Sequence, residues 1–166
     1  MLKEKILQNL SAAVKEKKDV ETLVLRQLSA AILNKEKEKR FKTSKEKPGL
    51  SEKDLEKESQ LTDEETLEVV SYEVKKRRES IVEFEKGGRK DLVEKEKREL
   101  GILEAYLPKQ LIEEEIKQLV KEAIEKVGAK EQKDMGKVMA ELSPKTKGKA
   151  DGSLVSKIVK ESLVPK

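Results

Sequence analysis

Apolar residues recur along this chain at intervals of three and four, and charge takes over wherever the recurrence stops. Ile6, Leu7, Leu10 and Val14 have that spacing, which predicts a short first helix, with Asp19 placed to cap the next. Val20, Val24, Leu28, Ala31 and Ile32 carry a second helix to about Phe41. From about residue 42 to 61, alternating charge together with Pro48 and Gly49 prevents an apolar face from forming. That stretch reads as a solvated loop with at most a helical turn after Ser51, a tolerated surface insertion in preference to a docking arm.

Order resumes at Thr62, because Glu65 three residues later completes a capping box in which each side chain satisfies the other's backbone donor. Leu67, Val70, Val74, Ile81 and Phe84 extend the third helix to the Gly87–Gly88 pair. One seam position in that series is occupied by Arg77. Leu92, Leu103 and Tyr106 mark a fourth helix, and Glu96 and Glu99 hold the seam between them. The two glycines predict an antiparallel hairpin, so Arg77 is expected to meet Glu96 or Glu99 across it. A stranded guanidinium on an apolar seam needs a partner, and an ion pair fixing helix register is the favoured reading.

Pro108 disfavours helical geometry at Leu107 and marks a boundary. Beyond it, Leu111, Ile116, Leu119, Val120, Ala123, Ile124 and Val127 form one amphipathic face, capped by Gly128. Met135, Val138, Met139 and Leu142 form a short second one, and Leu154, Val155, Ile158 and Val159 a last. The pattern therefore predicts an all-α chain of two helical lobes. The first, 1–107, is a lobe of long hairpin helices, and the second, 108–166, is a small three-helix bundle.

Composition sharpens this picture. Of 166 residues, 43% are charged, 35% hydrophobic and only 2% aromatic, so the core must be thin and strands are disfavoured. The chain contains no Cys and no His, which removes disulfides, thiolate nucleophiles, the commonest general base and the usual zinc ligands. No catalytic residue, metal site or cofactor is expected. The first residues carry no apolar run of signal-peptide length, and no stretch approaches the roughly 18 apolar residues of a membrane span, so a soluble, cytoplasmic protein is expected. With 38 basic and 34 acidic residues the net charge is only +4, so a nucleic-acid partner requires a local patch.

That patch is sought in SPKTKGKADGS, residues 143–153. Gly148 and Gly152 suit tight turns, Asp151 can cap the helix that follows, and Pro144 can close the preceding one. Lys145, Lys147 and Lys149 are not required by that geometry, yet they alternate beside a helix start where amide donors favour phosphate. Lys137, one short helix earlier, extends the basic corner. A lysine-rich surface is common in so charged a chain, and a solvated connector stands as the alternative.

The ordered motifs RQLSAAI, KKRRESIVEFEKGGRKDL, EKRELGILEAYLP, DMGKVMAEL and PKTKGKADGSLVSKIVKESL together resemble the GatB/YqeY family. In that family an all-helical module stands alone or forms the tail of the B subunit of glutamine-dependent aminoacyl-tRNA amidotransferase. The resemblance spans almost the whole chain except about residues 42–61. It implies a tRNA-associated binding module and at most an accessory to carbon–nitrogen ligase chemistry, since the matched motifs cover the tail and leave no room for the catalytic regions. Arg89 and Asp91 in GGRKDL match the family's G-R-x-D-L. Asp91 has an ordinary role at a helix start, whereas Arg89, a cation at the positive end of a helix, is open between structure and ligand contact. Arg26, beside the seam of the second helix, is equally open between the Arg77 network and RNA. The expected partners are tRNA or another folded RNA, with an amidotransferase or other translation proteins. A protein–protein adaptor is the competing function.

Overall fold

The computed structural model describes residues 1–163. Among them are eight α-helices and no strand: α1 (Leu2–Lys15), α2 (Asp19–Glu46), α3 (Glu52–Ser59), α4 (Asp63–Lys86), α5 (Lys90–Glu104), α6 (Glu113–Val127), α7 (Met135–Thr146) and α8 (Gly152–Ser162). The chain is all-α. It divides into two compact units, Met1–Tyr106 and Leu107–Lys166. No helix of the described residues is long and apolar enough to cross a membrane.

The first unit is a pair of hairpins, α1 against α2 and α4 against α5, with α3 lying on α2. Its core combines Ile6 and Ala13 of α1, Val24, Leu25, Leu28 and Ile32 of α2, Val70 and Val74 of α4, and Val93 and Leu103 of α5. Lys17, at φ 56°, turns the chain between α1 and α2. Lys18 takes the capping position expected of Asp19, which becomes the first helical residue and complements the helix dipole from there. Tyr106 falls just beyond α5, where its hydroxyl accepts from Asn9 Nδ2 at 2.7 Å and ties the end of the hairpin to α1.

The stretch 42–61 departs from expectation. Helix α2 continues five residues past Phe41, and with α3 it makes most of the supposed loop helical. Two physical causes are evident. Lys and Glu lose little side-chain freedom in a helix, and their three- and four-residue pairs support it locally, as in Lys35–Glu38 at 3.0 Å and Lys42–Glu46 at 3.8 Å. The second cause is long-range docking. Lys39 Nζ donates to Glu65 Oε2 at 2.7 Å and to the Gln60 carbonyl at 3.0 Å, Lys47 pairs with Glu58 at 2.5 Å, and Ser59 and Leu61 are buried. Glu36 completes the junction by accepting from Lys3 Nζ at 2.6 Å and from the Leu61 amide at 3.3 Å. Ser51 caps α3 by accepting from the Asp54 amide.

Helix α4 starts at the Thr62–Glu65 box. The Glu65 amide donates to Thr62 Oγ1 at 3.2 Å, and Glu65 Oε2 accepts from the Thr62 amide at 2.8 Å. The helix ends at Gly87, followed by Gly88 at φ 69° and an Arg89 amide bonded back to the Phe84 carbonyl.

In the second unit, α6, α7 and α8 enclose Ile116, Val120, Ala123, Val138, Leu142, Val155, Ile158 and Val159. Gly128 ends α6 in the left-handed conformation at φ 64°. Pro144 lies inside α7 instead of closing it. The proline removes one donor near the helix end, and the exposed turn at Ala140 leaves the orphaned carbonyl to water. Thr146 Oγ1 then back-bonds to the Leu142 carbonyl at 3.0 Å, and the Lys147 amide bonds to Ser143 at 3.0 Å.

Two outcomes are expected. Thr62→Ala should cost about 1 kcal/mol in urea unfolding, the usual value of a missing helix cap. The second follows from Glu65, whose carboxyl is held below its ordinary range by the Lys39 ammonium first and the Thr62 amide next. A depressed folded-state pKa contributes stability that is present above the ordinary carboxylate value and lost as pH falls through the folded one. Glu65→Gln should therefore be less stable than the parent near neutrality, and the gap should close in acid melts taken below the ordinary carboxylate range.

Candidate functional site

The turn between α7 and α8 is fixed by backbone bonds before any ligand is considered. Gly148 adopts φ 72°, and the Lys149 and Ala150 amides both bond to the Thr146 carbonyl, at 2.9 and 3.0 Å. Residues ahead of α6 hold the other side. The Gln110 amide nitrogen donates to the Gly148 carbonyl at 2.8 Å and to the Pro108 carbonyl at 2.9 Å, and the Leu111 amide donates to the Lys149 carbonyl at 2.8 Å. Asp151 caps α8 by accepting from the Ser153 amide at 2.7 Å. Gly152 is the first residue of α8, not the second turn glycine expected.

Lys145, Lys147 and Lys149 are all exposed on this turn. Lys145 is not without structural employment, however, because its Nζ lies 3.8 Å from Glu141 Oε1. Glu141 is bound more closely by Lys126, at 2.6 Å, and that ammonium is the main cause of its depressed carboxyl pKa. Lys137 is also engaged, 3.2 Å from Asp134 Oδ1. Lys137, Glu141 and Lys145 are four residues apart in sequence, so one face of α7 alternates in sign. No three His, Cys, Asp or Glu side chains of the described residues are grouped so as to hold a metal ion.

Arg89 and Arg26 belong to the first unit. Arg89 is the N-cap of α5, and its exposed guanidinium contacts Asp91 at 3.2 and 3.3 Å. The hydrogen bond and the opposite charge raise the pKa of Arg89 and lower that of Asp91. The anion that offsets a cation at this helix start is thus its own neighbour. Arg26 is exposed on α2 and takes no part in the Arg77 network.

That network involves three helices. Arg77 Nη1 of α4 donates to Glu96 Oε2 at 3.0 Å and to Glu99 Oε2, both on α5. Its Nη2 donates to Gln27 Oε1 of α2 at 2.7 Å. The side chains of Arg77 and Glu99 are only 12% and 4% exposed, so these charges are largely desolvated. Lys95 supplies a more distant countercharge, 3.9 Å from Glu99 Oε1, and Arg77 Nε has no hydrogen-bond partner among the described residues. Sequence spacing offers Glu96 or Glu99 as the partner, and the guanidinium takes both. The spacing misses Gln27, whose one signal is a polar residue three positions after Val24 and one before Leu28 of the buried face.

Arg77→Met should cost on the order of 3 kcal/mol, because it leaves carboxylates buried without a counterion. Combining it with Glu99→Leu should recover most of that cost, and additive effects across the double-mutant cycle in urea unfolding would refute the coupling.

Residues 47–163 match the family described as Yqey-like protein. The chain is also 38% identical over 105 residues to "Altered inheritance of mitochondria protein 41, mitochondrial" of Pyrenophora tritici-repentis (strain Pt-1C-BFP), an alignment covering 60% of this chain and 56% of that protein. The chain therefore matches a little over half the length of that relative. The family match begins at the α2–α3 connection and takes in α3 to α8, including the Arg77 network and the lysine turn. The chain belongs to the YqeY-like protein family.

Proposed function

We propose that the chain is a binding module for folded RNA, tRNA above all, and that the Lys145–Lys149 turn contacts the phosphate backbone. The observation that carries this reading is the anchoring of the turn. Gln110 and Leu111 bind its carbonyls, so exposed lysines are presented from a fixed backbone with little ordering cost on binding. Lys149 forms no ion pair with the described residues, and Glu141 is shared between Lys145 and Lys126. From Lys126 to Lys149 inclusive there are seven lysines against three carboxylates, a local excess that the near-neutral whole chain conceals. Contacts of this kind recognise backbone and shape, which suits a folded tRNA better than a specific base sequence.

On this reading the chain performs no ligation itself and serves as an accessory to a glutamine-dependent tRNA amidotransferase or another translation protein. The cytoplasm is the compartment we propose for it, whereas the name of the Pyrenophora tritici-repentis relative places that protein in mitochondria.

Replacing Lys145, Lys147 and Lys149 together by Gln should leave helicity and melting nearly unchanged, because all three are exposed. In a salt series of equilibrium binding, affinity for tRNA should fall roughly tenfold. The magnitude of the salt slope should drop by about 0.9 for each phosphate no longer neutralised, the duplex value serving as guide. Unaltered affinity and slope, or a parent chain that does not hold tRNA at moderate salt, would leave the turn a connector and favour the adaptor function.

A further inference from the structure

Helix α2 has an apolar face in the core and a second, mixed line of apolar and amide side chains on its surface. Val24, Leu25, Leu28 and Ile32 are buried, while Val20, Leu23, Gln27, Ala30, Asn34 and Phe41 form a second line, spaced by threes, fours and one seven, that is exposed throughout. Over those residues the line spans about 32 Å of helix. Single exposed apolar side chains need no explanation, but Val20, Leu23, Ala30 and Phe41 share one line at helix-packing spacing, interrupted only by the amides Gln27 and Asn34. A groove of about 900 Å³ runs between this part of α2 and α4, and one of about 550 Å³ continues it towards Arg77; Ala31, Asn34 and Glu73 line both.

We propose that this face docks a second copy of the same chain, α2 against α2 in antiparallel orientation. Charge complementarity identifies the occupant. The first turn of α2 carries Asp19 and Glu21, whereas residues 39–45 carry Lys39, Arg40, Lys42 and Lys45 and no acid. The helix dipole accounts for acids in the first turn and bases in the last, but not for cations well before the end. Asp19 and Arg40 have no ion-pair partner among the described residues, Glu21 reaches Lys18 only at 3.9 Å, and Lys42 reaches Glu46 only at 3.8 Å.

A two-fold contact must be complementary to itself. Centred between Ala30 and Ala31, it sets Asp19 opposite Lys42 and Glu21 opposite Arg40. The same symmetry brings Val20 to Phe41 and Gln27 to Asn34, with two small residues at the crossing, where backbones approach most closely. A phosphate ligand fits the face less well, because five glutamates, Glu38, Glu46, Glu65, Glu68 and Glu73, outnumber Lys35, Lys39 and Lys42 around the larger groove.

The test is sedimentation velocity on the full chain over a concentration series, with circular dichroism to verify helix content. The parent should dimerise. Asp19→Lys with Glu21→Lys, and separately Arg40→Glu with Lys42→Glu, should each weaken self-association by roughly tenfold or more, since each sets like charges opposite one another. An equimolar mixture of the two variants should restore a dimer, which a mere loss of helix stability would not do. A second variant reads the register directly. The chain has no cysteine, so Ala30→Cys places one thiol at the two-fold axis, and oxidised glutathione should convert it to an intermolecular disulfide, while a Glu94→Cys control on α5 stays monomeric. A monomeric parent, a mixture that does not associate, or an Ala30→Cys chain that stays as monomeric as the control would overturn the proposal.

Discussion

A guanidinium removed from water must be met by carboxylates, and in the first unit that requirement fixes how three helices lie together. Arg77 reaches Glu96 and Glu99 on α5, so α4 cannot slide against α5 without stranding a charge, and its bond to Gln27 ties it to α2. The apolar contacts around it, among them Val70, Val74 and Leu103, are non-directional and tolerate small shifts far better. In a chain with 43% charged residues the aliphatic core is too thin to specify register by shape alone, and a fork-shaped cation between two acids supplies the missing direction.

The same economy of apolar surface explains the α2–α3–α4 junction. Glu36, Lys39 and Glu65 connect α1, α2 and the start of α4 through charge-assisted bonds of 2.6 to 3.3 Å, around the buried Leu61. Glu65 serves both the cap of α4 and the tether to α2, so a local helix signal and a long-range contact share one carboxylate. In the second unit the proposed RNA surface is organised differently. Gln110 and Leu111 bind the carbonyls of the turn and Asp151 satisfies an amide of α8, so the backbone of the turn is held by its own bonds.

Features that depend on a few neighbouring residues were legible in the sequence. The Thr62–Glu65 box, the glycine end of α4, the Gly128 cap and the Asp151 cap each follow from local backbone chemistry, and each is present. Arg77 and its two glutamates were legible too, because helical spacing placed all three on facing seams. Residues 42–61 were not, since the charged run lacks the apolar period that signals a helix, and its order comes from Lys39, Lys47 and Leu61 meeting partners remote in sequence. Pro144 misled for a related reason: a proline near a helix end is tolerated where water reaches the unpaired carbonyl, which composition cannot reveal.

By itself the sequence determined the all-α class, most helix ends and the chemistry on offer: no thiol, no imidazole, and lysines concentrated ahead of the last helix. Those follow from propensity, spacing and residue inventory, which are local properties. Helical and turn spacing already offers the local pairs Lys145–Glu141, Lys137–Asp134 and Arg89–Asp91, and the tertiary structure decided the remote ones. It gave Lys126 to Glu141 and Lys39 to Glu65, brought Gln27 to Arg77, and left Asp19 and Arg40 of α2 without an ion-pair partner among the described residues. Ion pairing depends on distances of a few ångströms between side chains on different turns and helices. In a chain where acids and bases are almost equal in number, each lysine has many possible partners, and only the folded backbone selects among them.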